Sequence, residues 1–470
     1  MNKKTFLILA IVVALVLPSA AMAAAEFSLG GYIKLDAFWD STQENKNMNQ
    51  LLVRNNNTNS NGTVNNFHHG RLKFTSQSSR FNFTIKGPKL WGANTTGFIE
   101  MDFDQGNETG LAAPVTGAGA AFGASNAYTP RMRHAFFKLN WPETELLMGQ
   151  YFTFVSQWFP ELLHDGPMQI TGTPTARMPM VKLTQKFAGA WQVGAMVGDA
   201  NGIAGSQVYS ANDRGGGEST EAPQVQAQVQ FQQDLYGKAA WYGTPIPFTA
   251  QITGAWQRGI IPGQSNNNLF VTGQNTFTGI VNARTRHQYL DPWVIMGTLF
   301  IPVIPTHSAN LAGTASIQTS WWVGQGVEAF GWIGFGSQVY RFTGMEGAFA
   351  VYDVDLMNRY GGQVQAQYYF TNQWFVTGAW GISKAFGVGA FATDVNAFAG
   401  RPNALAADTA NYHNEFDLAL WYRPIQAFKF GIQYAYARTN WIQNQASTGT
   451  GVTTNLGEAH RVEFVGLFFF

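Results

Sequence analysis

Residues 223 to 233 read PQVQAQVQFQQ, with glutamine at 224, 226, 228, 230 and 232 and Val225, Ala227, Val229 and Phe231 filling the gaps. Side chains on a strand point to opposite faces with a period of two, so one face of this segment is apolar and the other carries only amides. The pattern recurs. In Gly362 to Phe370, GQVQAQYYF, Gln363, Gln365 and Gln367 stand opposite Val364, Ala366 and Tyr368. Phe428, Phe430, Ile432, Tyr434 and Tyr436 share one face, opposite Lys429 and Gln433, and Ile99, Met101 and Phe103 stand opposite Glu100, Asp102 and Asp104.

A soluble antiparallel sheet gives the same alternation, but its wet face is usually charged. Here only 12% of 470 residues are charged, against about 25% in an ordinary soluble domain. A soluble sandwich would turn these apolar faces inward and need far more charge outside. Spanning helices are excluded as well. Beyond the extreme N-terminus no run reaches the roughly 18 apolar residues a span requires, and the best candidate, Pro292 to Pro305, is short and interrupted by proline. The net charge of +1 implies no bulk attraction to nucleic acid. With no cysteine the chain has no disulfide, thiolate metal site or covalent c-type haem.

The N-terminus supplies an address. Lys3 and Lys4 precede an apolar run from Phe6 to Leu17, and Ala21-Met22-Ala23 is the small-x-small pattern of signal peptidase. Residues 1–23 are therefore read as a signal peptide and 24–470 as one domain. For an exported chain with apolar-out, polar-in strands, lipid leaves one arrangement: a sheet closed into a barrel, because hydrocarbon satisfies no backbone hydrogen bonds. The 15 Trp, 16 Tyr and 37 Phe supply aromatic girdles for the two interfaces.

Sixteen strand candidates follow, near 26–38, 70–87, 96–104, 131–140, 145–154, 178–187, 189–198, 223–234, 246–257, 287–301, 313–330, 359–370, 373–383, 413–423, 427–438 and 458–470. The expected fold class is all-β, a transmembrane antiparallel β-barrel. Long connections rich in Asn, Gly, Ser and Thr alternate with tight turns such as Trp141-Pro142-Glu143 and Thr371-Asn372-Gln373. Long external loops and short periplasmic turns are the outer-membrane arrangement. The second strand changes parity: Leu72 and Phe74 are even, whereas Phe81, Phe83 and Ile85 are odd. Either a β-bulge near Ser76 to Ser79 or an extra hairpin, giving eighteen strands, would account for it.

The segments GYIKLDAF (Gly31 to Phe38), SRFNFTIKGP (Ser79 to Pro88), GFIEMDF (Gly97 to Phe103) and RHAFFKL...MGQYFTF (Arg133 to Phe154) resemble those of the DcaP-like trimeric porins of Gram-negative outer membranes. The ending RVEFVGLFFF, with Phe464, Phe468 and Phe470, is similar to the terminal assembly signal of outer-membrane barrels. DcaP-like porins can carry an N-terminal helical extension, whereas strand residues here begin almost directly after Ala24. The resemblance implies a homotrimer of sixteen-stranded barrels with an inward-folded third loop, in contact with outer-membrane lipid and lipopolysaccharide.

A barrel of this size is too wide for side chains to fill and leaves an aqueous channel. The third loop, Val155 to Met180, carries Glu161, His164, Asp165 and Arg177. Glu161 and Asp165 are the expected constriction acids, facing a wall of Lys34, Arg71, Arg80, Arg133, Arg359, Lys429 and Arg461, with Asp36, Glu100, Asp102 and Glu463 interspersed. Such facing charges set ion preference. Arg131 and Arg133 share parity with Phe137 and Leu139, which would put them at the outer rim instead.

Other motifs carry little. Asp102, Asp104, Gly106 and Glu108 lack calcium-loop spacing, Gly117 to Gly123 is no phosphate-binding turn, and there is no H-E-x-x-H. His68, His69 and His164 are read as loop or rim residues rather than metal ligands. The functional expectation is a non-enzymatic channel, without cofactor or metal and without nucleic-acid partner, for passive diffusion of ions and small hydrophilic solutes. The alternatives are a substrate-selective channel or the barrel sheath of an electron conduit.

Overall fold

The computed structural model of the protein describes residues 25–41, 70–103, 130–164, 170–200, 222–261, 264–266, 283–285, 288–331, 338–346, 349–387, 404–405, 410–441 and 456–470. The expected signal peptide, Asp165, His68, His69, Asp104 to Glu108 and Gly117 to Gly123 lie outside them.

Sixteen antiparallel staves form one closed sheet. They are β1 Glu26–Asp40, β2 Arg71–Thr75 continued by Arg80–Lys86, β3 Asn94–Asp102, β4 Arg131–Asn140, β5 Thr144–Phe152, β6 Arg177–Phe187, β7 Trp191–Gly198 and β8 Gln224–Gln233, followed by β9 Phe248–Trp256, β10 Trp293–Ile304, β11 Ala315–Gln325, β12 Asn358–Tyr369, β13 Trp374–Phe386, β14 Ala410–Ile425, β15 Phe428–Trp441 and β16 Leu456–Phe469. Each stave pairs with its neighbours in sequence, and β16 closes on β1 with Tyr32 opposite Phe469 and Asp40 opposite Arg461. Closure leaves no edge strand, which is the condition lipid imposes.

The parity change in β2 is a bulge. Asp36 pairs with Thr75 and Tyr32 with Arg80, so the partner of β1 carries one residue more over the same span. Ser79 Oγ accepts from the Lys34 amide at 3.0 Å, tying down the extra residue. Leu72 and Phe74 before the bulge, and Phe83 after it, all remain outside. The eighteen-strand alternative is thereby replaced by sixteen. A second bulge lies in β4, where Glu100 pairs with His134 and Met101 with Met132, skipping Arg133. It turns Arg133 into the bore while Phe137 stays exposed, so the outer-rim placement suggested by shared parity does not hold.

The two faces separate as the alternation requires. Ile252, Ile295, Val229, Ile432 and Phe464 are exposed on the outside, while their inward neighbours Gln251, Met296, Gln228, Gln433 and Glu463 are buried. Among the described residues, three connections differ from the simple scheme of long loops and tight turns. Residues 338–346 and 349–356, expected as loop, form an antiparallel hairpin. Between β9 and β10 the chain builds further short ladders, Gly259–Ile261 with Gln288–Leu290 and Gln264–Asn266 with Ala283–Thr285. At the opposite end, residues 234–247 are no tight turn, because Ala239–Trp241 and Thr244–Ile246 pair as a small hairpin.

Candidate functional site

In the described parts of the third loop, residues 153–164 and 170–176, the backbone is held by inward-facing side chains of distant staves. The Val155 amide donates to Gln226 Oε1 on β8 (3.2 Å), Trp158 Nε1 to Gln251 Oε1 on β9 (3.0 Å), and the Glu161 amide to Gln365 Oε1 on β12 (2.5 Å). The Leu163 amide donates to Gln433 Oε1 on β15 (2.8 Å) and the Thr171 amide to Glu415 Oε2 on β14 (3.0 Å). Trp322 Nε1 on β11 donates to the Gly172 carbonyl (2.8 Å). Loop amides unsatisfied in a packed interior would each cost about 1–3 kcal/mol, which explains the demand for long acceptors on these staves. Glutamine suits the task because its amide both accepts and donates without burying a charge.

Close approach also requires glycine on both sides. A Cβ on Gly381 of β13 would overlap the Thr171 carbonyl, and one on Gly172, whose φ is +86°, would overlap the Gly362 carbonyl.

The charged groups of the wall fall into sets. Asp40 accepts from Arg71 Nε (2.6 Å) and Arg461 Nε (2.7 Å). Lys34 Nζ lies 2.9 Å from Asp36 and donates to the Leu163 carbonyl at 2.6 Å. Asp102 accepts from Arg131 and Arg133, and Arg133 Nε also reaches Glu100 at 2.8 Å. Glu161 accepts from Lys429 Nζ at 2.5 Å and from Gln367 Nε2 at 2.8 Å, and Lys429 sits 3.6 Å over the Trp421 ring. Arg359 is fully buried and donates to the Ala410 carbonyl at 2.5 Å.

These sets border a cavity of about 440 Å³ against β1 to β5 and β14 to β16, into which Lys34, Arg80, Glu100, Arg133, Glu161 and Lys429 face. Asp36, Asp102, Arg359 and Arg461, also expected on the lining, are buried away from it, and Arg71 is half-buried. Phe464, Phe468 and Phe470 lie on the exposed outer face. Arg177, counted as a loop residue from the sequence, opens β6.

His164 is not at a rim. It is buried inside the bore, 3.6 Å from Glu415, 3.9 Å from Asp417 and 3.8 Å from Glu463. The reason is the path of the third loop, which carries it across to β14 and β16. Burial alone would lower its pKa, but the carboxylates of Asp417, Glu463 and Glu415 outweigh that and carry it up to about 9. His164, Glu415 and Asp417 have ligand atoms within 4.8 Å of one another, a spacing that would suit a metal ion. The carboxylates favour the protonated imidazole, and a metal ion at this spacing would compete with that proton for the ring.

Sequence reasoning named Lys34, Arg80, Glu100, Glu161 and Lys429, which border the cavity, but misplaced Arg133 and His164 and missed the partners of the glutamines. A wet face and a face packed on a loop have the same alternation; the near absence of charge among those glutamines was the available signal.

No family model matches the chain, and no curated protein does. Among solved structures it is similar to the outer membrane channel DcaP of Acinetobacter baumannii, with 14% identity, 96% of this chain and 99% of that one covered, and a TM-score of 0.60. It is also similar to the trimer form of OmpT of Vibrio cholerae (11% identity, 95% and 100% covered, TM-score 0.50) and to an anion-selective porin from Comamonas acidovorans (9%, 95% and 100%, 0.50). At these identities the likeness is one of fold, and the fold is that of outer-membrane porins.

Proposed function

We propose that the protein is an outer-membrane porin through which ions and small hydrophilic solutes diffuse passively, at a constriction made by the inward-folded third loop. The observation that carries this reading is a closed barrel, apolar outside, whose interior holds a charge-lined cavity beside that loop. Around the cavity Lys34, Arg80, Arg133 and Lys429 face Glu100 and Glu161, so cations outnumber anions and the pore favours anions. The unit is a homotrimer, supported by the trimer form recorded for OmpT, and lipid and lipopolysaccharide surround it. Export through a cleaved signal peptide and outer-membrane location follow from Lys3 to Ala23 and from the barrel.

Planar-bilayer recording of the purified protein tests this. Openings grouped in threes, with conductance rising with salt and a reversal potential on the anion side, are expected. Proteoliposomes without conductance would overturn the porin reading, and a cation-side reversal potential would overturn the selectivity.

A further inference from the structure

Between β8 and β9 the chain does something its neighbouring turns do not. Turns such as residues 141–143 and 188–190 reverse at once, whereas residues 234–247 make a hairpin. Its base is fixed: Asp234 Oδ1 accepts from the Gly237 amide at 2.8 Å, and Lys238 and Thr306 exchange backbone hydrogen bonds with the next turn at 2.9 and 2.7 Å. From there the hairpin goes into the barrel. Ala239 and Ala240 are fully buried, and Ser316 Oγ, facing inward on β11, donates to the Ala240 carbonyl at 2.9 Å.

The tip meets the third loop from the other side. The Tyr242 hydroxyl donates to the Pro160 carbonyl at 2.8 Å, and the rings of Trp241 and Trp158 are 4.6 Å apart. Trp158 in turn stacks on Phe300 of β10 at 6.1 Å. Tyr242 and Gly243 both have positive φ, 51° and 72°. This is a tight two-residue turn, usually Asn-Gly or Asp-Gly. The same turn geometry occurs at Trp91-Gly92 and Ala188-Gly189, so what sets this one apart is where its tip goes: onto the third loop through the Tyr242 hydroxyl and the Trp241 ring.

Loop and hairpin together fill one side of the bore. Inward residues of β9 to β13, among them Gln251, Thr298, Gln318, Gln365 and Thr377, are all buried. The cavity lies on the other side, and both Trp241 and Tyr242 form part of its wall, across from Lys34 and Lys429.

We propose that the hairpin Lys238 to Ile246 is a second jaw of the constriction, entering from the short-turn end, and that Trp241 and Tyr242 are specificity-determining residues that set the width and give the passage one aromatic face. This rests on the porin reading and adds to it that the limiting aperture is shared between two segments from opposite ends of the barrel. Slim or flat solutes pass along the aromatic edge, and bulky ones of equal charge are held back.

The chain has no cysteine of its own, so an introduced thiol is the only target for a thiol reagent. Tyr242→Cys is recorded in a bilayer before and after a bulky methanethiosulfonate reagent, with Ala188→Cys, exposed on an adjacent turn, as the control. Trp241→Ala, which leaves the Tyr242 anchor in place, is compared with wild type for conductance and for liposome swelling with sugars of increasing size. Expected are a loss of about half or more of the current on modifying Tyr242→Cys, none for Ala188→Cys, and a conductance about twofold higher with a larger sugar cut-off for Trp241→Ala. If wild type conducts while Trp241→Ala keeps its conductance and cut-off, the second jaw is overturned and the porin reading stands; unchanged current on modifying Tyr242→Cys overturns the jaw in the same way. If wild type itself carries no current, both fall together.

Discussion

The sharpest test of the third loop's seating is its dependence on pH through His164. In an opened loop the imidazole would titrate near its ordinary 6.5; seated among Glu415, Asp417 and Glu463 it titrates at about 9. The folded value is the higher one, so this contribution is complete below about pH 6.5 and is lost as pH rises through about 9. At about 1.4 kcal/mol for each pH unit between those values, the seating gives up roughly 3 kcal/mol. That corresponds to about a hundredfold in the opening equilibrium. The reporters are the Leu163 and Thr171 amides, which donate to Gln433 and Glu415. Their hydrogen-exchange protection, corrected for intrinsic rate, should fall by about two orders of magnitude between pH 6.5 and pH 9.5, and show no such fall in His164→Gln. Protection independent of pH in wild type, or an equal decline in His164→Gln, would refute a seating held by the charged imidazole.

Other perturbations have similarly specific outcomes. Glu161→Gln or Lys429→Met alone removes one member of a buried ion pair and should loosen the loop by about 3–5 kcal/mol, while the double variant recovers most of that loss; exchange at the Glu161 amide measures both. Gly381→Val drives a side chain into the Thr171 carbonyl, so the loop is displaced, conductance rises, and stability falls by about 1–3 kcal/mol in denaturant titration. Ile252 is 65% exposed on the outer face of β9; Ile252→Lys should reduce folding into bilayers by about 2–4 kcal/mol if it lies near mid-membrane. Gln251→Lys, one residue away and facing inward, should leave membrane insertion intact and act on the loop through Trp158 instead.

Much of the architecture was legible because each of its rules is local. Period-two alternation needs only the neighbouring residues, and it located all sixteen staves, including the β2 break at Ser76 to Ser79, where the parity of Leu72 and Phe83 could be read directly. The β4 bulge was less visible. Arg133 and Phe137 look like members of one face until the pairing of Glu100 with His134 shows that a residue has been skipped.

What the chain determined by itself is which solvent each face of each stave meets, since that depends on side-chain polarity and a fixed geometric period. What only the tertiary structure decided is what occupies the bore. Gln226, Gln251, Gln365 and Gln433 are far apart in sequence and converge on one loop only after the sheet has closed, and Trp241 and Trp158 meet across the barrel from opposite ends. The same inward amides would serve water or a backbone equally well, because both offer hydrogen-bond partners. Ring closure, by bringing remote segments within hydrogen-bonding reach, made the choice.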